Sequence, residues 1–172
     1  MPILPTDRDP RLITLRRGGS LTDEHHVLLA LWALECAEHV LPLFARSSPD
    51  DDRPADALRI GHAWTRGEAT MREAHDAAFR ANAAGKGLPD AARFAALAAG
   101  QAVAVAHVAA HDLGAAAYAI RATVAAAPPD EAESARRAEL HWQHDRLPAA
   151  VRALVLDDQQ TRNSICWNVF AL

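Results

Sequence analysis

Apolar residues recur along this chain three and four positions apart, the spacing of one face of an α-helix. No stretch of useful length alternates between apolar and polar residues, as a half-buried strand would. The longest helical pattern covers residues 23–46, and most of its surface is apolar, which places such a helix at the centre of a bundle. Thr22 precedes it as the N-cap, and Pro42 is expected to bend or stop it.

Proline, glycine and capping residues divide the rest of the chain into shorter helical segments. Pro54 suits the first position of a helix, and Thr70 opens a capping box. Residues 90–127 are too many for one ordinary helix, so we expect a break near residues 111–114, with Asp112 as the cap of the next helix. The predicted segments are 23–46, 54–66, 70–84, 90–110, 112–127, 130–146 (opening on a second capping box at Asp130) and 148–170.

The pattern predicts an all-α fold, a single-domain antiparallel bundle of about six to eight helices. Residues 1–19 form an irregular N-terminal arm, and residues 20–172 form the helical domain. The segments on either side of the break are rich in alanine and predict a central hairpin whose axes approach closely. Residues 94–111 lack charges and are nearly long enough to span a membrane, but alanine gains little from lipid and polar side chains would lie in hydrocarbon, so a buried helix is favoured.

Composition then narrows the classes of function. The formal net charge is −4, and 18 basic residues are outnumbered by 22 acidic ones. This balance argues against nucleic-acid binding, which needs a basic patch. The two cysteines, Cys36 and Cys166, do not make a disulfide scaffold, and residues 1–20 lack the apolar core of a signal peptide. We therefore expect a cytoplasmic protein without a membrane or nucleic-acid partner.

Two groups of residues have the types and spacing of metal ligands. His107 and His111 are four positions apart and would share a face if one helix carried both. The alternative is a pair of imidazoles at the helix break. Cys36 and His39 are three positions apart and, with Cys166, would supply three zinc ligands; the alternative is a pair of core thiols. In both cases the alternative without metal is favoured, and no cofactor is predicted.

Charged residues mark two further places. The run Asp50, Asp51 and Asp52 has the oxygen ligands for a divalent cation or the charge to contact a basic partner. Otherwise it is a solvated loop in which Asp52 caps the next helix. Asp158 and Arg162 lie on the apolar stripe of the last helix, four positions apart. Three interpretations stay open: a buried ion pair, which is favoured, a break in the helix at this point, and a functional cleft.

Histidines and tryptophans outside these groups are expected to be structural. His25 and His26, in the first turn of the first helix, are predicted to lie at the surface. The four tryptophans lie in predicted helices and are expected to anchor a core that is poor in bulky side chains. They are Trp32, Trp64, Trp142 and Trp167.

Several blocks of the chain, spread over about residues 20–170, resemble the immunity-five-like family of bacterial immunity proteins. The blocks are Leu21-Thr22-Asp23-Glu24 with Trp32 and Cys36-Ala37; Asp50-Asp51-Asp52-Arg53-Pro54 with Ala63-Trp64 and Gly67-Glu68; Ala106-His107, His111 and Gly114-Ala115-Ala116; and Trp142-Gln143, Arg146-Leu147-Pro148, Asp158-Gln159, Arg162-Asn163 and Cys166-Trp167. The resemblance implies an all-α domain that neutralises a partner toxin inside the cell that makes it. It supplies no catalytic residue.

Two functions are weighed on these grounds. The first is a cytoplasmic protein that binds a protein toxin and occludes its active site, with no catalysis of its own. The acidic excess favours a basic toxin, and residues 50–52 are the first candidate for its contact. The alternative is a metal-binding helical-bundle enzyme that uses His107 and His111, with Asp158 and Arg162 in a cleft. A helical adaptor with an unrelated partner is a third possibility.

Overall fold

In the computed structural model, residues 4–171 are described, and they form an all-α bundle without a β-sheet. The fold class is as the apolar pattern predicts. The helices are α1 (Asp23–Ser47), α2 (Arg53–Thr65), α3 (Met71–Ala84), α4 (Asp90–Ala104), α5 (Asp112–Ala126), α6 (Ala132–Asp145) and α7 (Ala149–Arg162).

Capping residues set several of these boundaries as predicted. Thr22 accepts a hydrogen bond of 3.1 Å from the backbone N–H of His25 at the start of α1. Thr70 and Glu73 form the complete capping box of α3, in which each side chain accepts from the other residue's backbone N–H. Helix α1 continues through Pro42 to Ser47, close to the predicted end at residue 46, so the proline does not stop it.

The break between α4 and α5 comes earlier than predicted. Helix α4 ends at Ala104, and residues 105–108 form a turn before a short 3-10 helix, Ala109–His111. Asp112 is the first residue of α5 rather than its cap, and its carboxylate accepts from the N–H of Leu113 at 2.6 Å. His107 and His111 therefore do not share one helix.

Two other boundaries also differ from the prediction. A 3-10 turn, Pro129–Glu131, precedes α6, whose start has no side-chain cap, so the capping box expected at Asp130 does not form. Helix α7 ends at Arg162 instead of continuing to Phe170. A further 3-10 turn, Asn163–Cys166, follows α7, and after it Trp167 and Asn168 both have a φ of 57°, in the left-handed region.

The core lies where α4 packs against α5, α1 and α3. Its buried side chains are mostly alanine, with Trp32, Phe44 and Leu113 among the largest. The alanine-rich hairpin of α4 and α5 is as predicted. Small residues bring the helices together: a Cβ added at Gly100 of α4 would lie 2.0 Å from Oδ1 of Asn82 on α3.

Helix α1 is the one described helix that is long and apolar enough to cross a membrane. Half of its most apolar window is buried inside the bundle. A central core helix meets the same criteria of length and apolarity, and α1 packs against α4, α5 and α2.

The N-terminal arm, described from residue 4, contains two 3-10 turns, Pro10–Leu12 and Leu15–Arg17. Leu12 is buried in the core, so the arm is docked against the bundle. Arg11 extends this contact with an ion pair of 2.5 Å to Asp157 of α7. The division into an arm and a domain at residue 20 stays a prediction.

Candidate functional site

The docked arm creates a cleft of about 490 Å³ against one end of the bundle. We call it the arm cleft. Arg8, residues 12–14 and residues 16–17 form its first wall, and the start of α1 and the end of α2 form the second. Met71 and residues 106–109, from the turn after α4, complete its lining. The cleft therefore depends on segments far apart in the sequence.

The arm cleft is basic in a protein that is acidic as a whole. Its lining contains Arg8, Arg16 and Arg17 against one acid, Asp23, which gives a formal charge of +2 with neutral histidines. Arg16 pairs with Asp23 at 2.6 Å, but both side chains are largely exposed, so the pair contributes little to stability. Arg17 donates to the backbone carbonyl of His107 at 3.1 Å.

Three imidazoles, those of His75, His107 and His111, follow one another beside the cleft, and among them His107 lines it. The ring of His107 lies 5.0 Å from that of His75 on α3 and 5.2 Å from that of His111. Burial lowers the pKa of His107, with smaller contributions from His75 and Arg17, and it lowers the pKa of His111 to about 4. These two rings are therefore neutral at neutral pH.

The hydrogen bonds of the buried rings at this end of the bundle differ. His111 donates from Nδ1 to Oε1 of Gln101 at 2.8 Å. Nδ1 of His107 is buried and has no hydrogen-bond partner among residues 4–171. His26, expected at the surface, is instead buried and donates from Nε2 to the carbonyl of Val105 at 2.6 Å. It thereby fixes the turn that carries His107.

The structure does not assemble the predicted metal ligands. Among residues 4–171 there is no group of three histidine, cysteine or acidic side chains placed to hold a metal ion. Cys36 and Cys166 are both buried free thiols, and burial raises the pKa of each, that of Cys166 to about 11. His39 faces Glu139 instead, with 2.8 Å between its Nδ1 and the carboxylate.

His39 belongs to an aromatic stack at the α1–α6 contact. Its ring lies parallel to that of Trp142, with centroids 3.7 Å apart, and the guanidinium of Arg146 lies 3.8 Å from the centroid of the same indole. Glu139 beneath it is buried and also accepts from Gln143. This arrangement orients an imidazole that is 40% exposed, but no described cleft lies beside it.

The acidic loop before α2 has a different capping arrangement from the predicted one. Asp52 stands at the N-cap position but makes no capping hydrogen bond. Asp51 accepts from the backbone N–H of Arg53 at 3.1 Å and pairs with its guanidinium at 2.6 Å, which lowers the pKa of Asp51. Asp50 and Asp52 are exposed. As contacts for a partner, these residues stay a prediction.

Asp158 and Arg162 form the buried ion pair that the sequence favoured. Nε of Arg162 donates to Asp158 at 2.8 Å, and a second nitrogen completes a two-pronged contact. The guanidinium also donates to the carbonyl of Ala110 at 2.9 Å and lies 3.5 Å from Asp112. Burial raises the pKa of Asp112 to about 7. The group fastens α7 to the start of α5 and lines no described cleft.

Residues 19–150 match the model of the family described as "Imm-5 like putative immunity protein". The chain belongs to this family. No curated protein and no solved structure matches it. The family match includes α1 to α6 and the histidines of the arm cleft. It ends at the second residue of α7, so the Asp158–Arg162 pair lies beyond it.

This member of the Imm-5 like family builds its cleft partly from residues outside the family match. Arg8, Arg16 and Arg17 precede residue 19, so membership of the family does not account for them. The sequence analysis did not identify the cleft, because the arm gave no helical pattern. It contained a signal, however: four arginines among the first twenty residues, beside the buried Leu12.

Proposed function

We propose that this protein is the antidote to a bacterial toxin: it binds the toxin protein and blocks its action, inside the cell that makes both. Membership of the Imm-5 like family supports the proposal, because the family description names an immunity protein and that name implies a toxin as partner. The proposed mode is occlusion by a folded surface, with no catalysis by this chain. Charge and shape complementarity supply the specificity of such an interface.

The metal-dependent alternative gains no support from the described residues. His107 and His111 lie on separate segments, and among residues 4–171 no third side chain is placed with them to hold a metal ion. Metal analysis of untagged purified protein tests this point directly, and one bound equivalent of zinc or iron would revive that alternative.

Capture of the partner tests the proposal. The protein, carrying a mild tag, is isolated from its native cells and its partners are identified by mass spectrometry. We expect a stoichiometric partner with a toxin-like domain, whose expression alone stops growth and whose co-expression with this protein does not. A Trp32→Ala variant is the control, because it removes a buried side chain whose indole N–H donates to Gln143 and disrupts the core. Growth arrest by the toxin that persists when wild-type protein is co-expressed would overturn the proposal.

A further inference from the structure

Large apolar side chains are exposed mainly on the arm and on α3, two segments that contribute residues to the arm cleft. Four are well exposed among the described residues, and three of them belong to segments that build the cleft: Leu15 (62% exposed), Met71 (48%) and Phe79 (64%). Exposed apolar surface concentrated in one place is typical of an interaction site.

Two of these side chains belong to one ridge on α3. Met71, His75 and Phe79 are four positions apart in turn, so they follow one another along a single side of the helix. The rings of His75 and Phe79 are in edge contact, with centroids 4.9 Å apart. We call these three residues the α3 ridge.

The ridge continues directly into the arm cleft. Met71 lines the cleft at one end of the ridge, and His75 touches His107 of the cleft lining. The apolar ridge and the basic cleft thus form one surface. Its apolar part suits aromatic or aliphatic side chains, and its basic part suits carboxylates.

The arginines of this surface can receive the carboxylates of a ligand. Arg8 is exposed and has no ion pair among the described residues, and the side chain of Arg16 is 80% exposed although it pairs with Asp23. Asp76 lies 3.7 Å from His75 beside the ridge, and Asp23 is the acid of the cleft lining. The arginines outnumber Asp23 within the cleft, so a carboxylate gains net attraction there.

We propose that the arm cleft and the α3 ridge together are the docking surface for the partner, and that they receive a protein segment carrying carboxylates beside aromatic or aliphatic side chains. This inference rests on the proposed function and names the surface and the partner's chemistry. It differs from the earlier expectation of a basic partner at Asp50–Asp52. That loop precedes α2 whereas the cleft meets the end of α2, about 20 Å away along a helix of this length.

A peptide probe tests the surface without knowledge of the toxin. The probe is a short fluorescein-labelled peptide with two phenylalanines flanked by glutamates, and its binding is followed by fluorescence anisotropy. A glutamine version and a lysine version of the same peptide are the comparisons. We expect the glutamate peptide to bind at least about tenfold more tightly than either, and to weaken as salt is raised.

Two variants locate the binding, each with a matched control. Arg8→Glu with Arg17→Glu reverses the cleft charge, and Arg59→Glu with Arg137→Glu makes the same change in net charge on exposed helix positions outside the cleft. Phe79→Ser removes an apolar side chain from the α3 ridge. Its control, Leu31→Ser, removes the exposed apolar side chain that does not belong to the arm or to α3. The cleft and ridge variants should each weaken binding by at least about tenfold, and the controls by no more than about twofold.

The outcomes separate this inference from the function on which it rests. Failure of the glutamate peptide to bind wild-type protein, or equal binding to the variants and their controls, would overturn the docking surface. Circular dichroism and thermal melting establish that each variant is folded, and Phe79→Ser changes an exposed side chain only. A toxin that both variants still neutralise would overturn the surface and leave the proposed function standing. Peptide binding that is specific to the surface, in a protein that protects against no toxin, would support the surface and overturn the function.

Discussion

Arg17 in the N-terminal arm donates a hydrogen bond of 3.1 Å to the backbone carbonyl of His107, 90 positions further along the chain. This contact joins the two walls of the arm cleft: the arm supplies the arginines, and the turn after α4 supplies the imidazole. The hydrogen bond is exposed and contributes modestly by itself. The buried side chain of Leu12 does more to hold the arm in place.

Replacing Leu12 with alanine should loosen the arm and leave the bundle folded. Removal of a buried leucine costs about 2–5 kcal/mol where the surroundings cannot relax, and an arm can relax, so we expect the low end of that range. Hydrogen exchange should accelerate in residues 8–17 while α4 and α5 stay protected. Exchange that accelerates equally throughout would show that the arm is integral to the core.

The buried charges at the junction of α5 and α7 set a second prediction. Arg162→Met leaves Asp158 without its cation and Ala110 without its donor, so it should lower the free energy of unfolding by about 3–5 kcal/mol. Adding Asp158→Asn to that variant removes the uncompensated charge and should recover part of the loss. Urea denaturation measures both steps, and strictly additive losses would contradict the pairing.

The same group makes stability depend on pH through Asp112. The pKa of Asp112 is about 7 in the folded chain against an ordinary value of 3.8, so between these limits the folded chain holds a proton that the unfolded chain has lost. The stabilisation is complete below about pH 4 and is lost as the pH rises through 7, by an amount of about 1–4 kcal/mol. His111, whose pKa is lowered to about 4, acts oppositely and destabilises the fold as the pH falls below about 6.5.

Asp112→Asn isolates this contribution because asparagine cannot lose the proton. As the pH is raised from 5 to 8, the unfolding free energy of the wild type should fall relative to that of the variant. Exposed Asp145→Asn is the control and should change little over that range. A difference independent of pH would mean that Asp112 is ionised throughout.

Close packing of α3 on α4 gives a further prediction at Gly100. An added Cβ would lie 2.0 Å from Oδ1 of Asn82 and 3.1 Å from the carbonyl of Ala78. Overpacking of this kind costs about 1–3 kcal/mol, more than alanine gains over glycine in helix propensity. Gly100→Ala should therefore lower the melting temperature, and Asn82→Ala in the same chain should restore part of it. A more stable Gly100→Ala single variant would contradict the close approach.

Local signals in the sequence predicted most of the helices. Thr22, Thr70 and Pro54 act on the residues next to them, so their effects on helix starts do not depend on the rest of the fold. The alanine-rich hairpin also followed from composition, because small side chains are what allow helices to approach closely.

The remaining boundaries depend on tertiary contacts. Helix α4 ends at Ala104 although the residues around it favour a helix. In the turn that follows, the backbone carbonyl of Val105 accepts a hydrogen bond from His26 of α1. Helix α7 ends at Arg162, whose side chain is committed to Asp158 and to the start of α5. The spacing of residues along the chain carries no information on partners so distant.

The candidate site was predictable only in fragments. His107 was singled out from its spacing to His111, but the cleft arises because the arm docks opposite the turn that carries it. The acidic loop at residues 50–52 stood out in the sequence because its charges are adjacent. The arginines of the arm and the α3 ridge become one surface only in the folded chain.

A stoichiometric titration tests the central claim most directly. Purified toxin domain is held at a fixed concentration, well above the dissociation constant of the complex, and its activity is measured as this protein is added. A protein that acts by occlusion should abolish the activity along a straight line that ends at one antidote molecule per toxin. Neutralisation by far smaller amounts would mean catalysis, and undiminished activity at excess antidote would contradict the account.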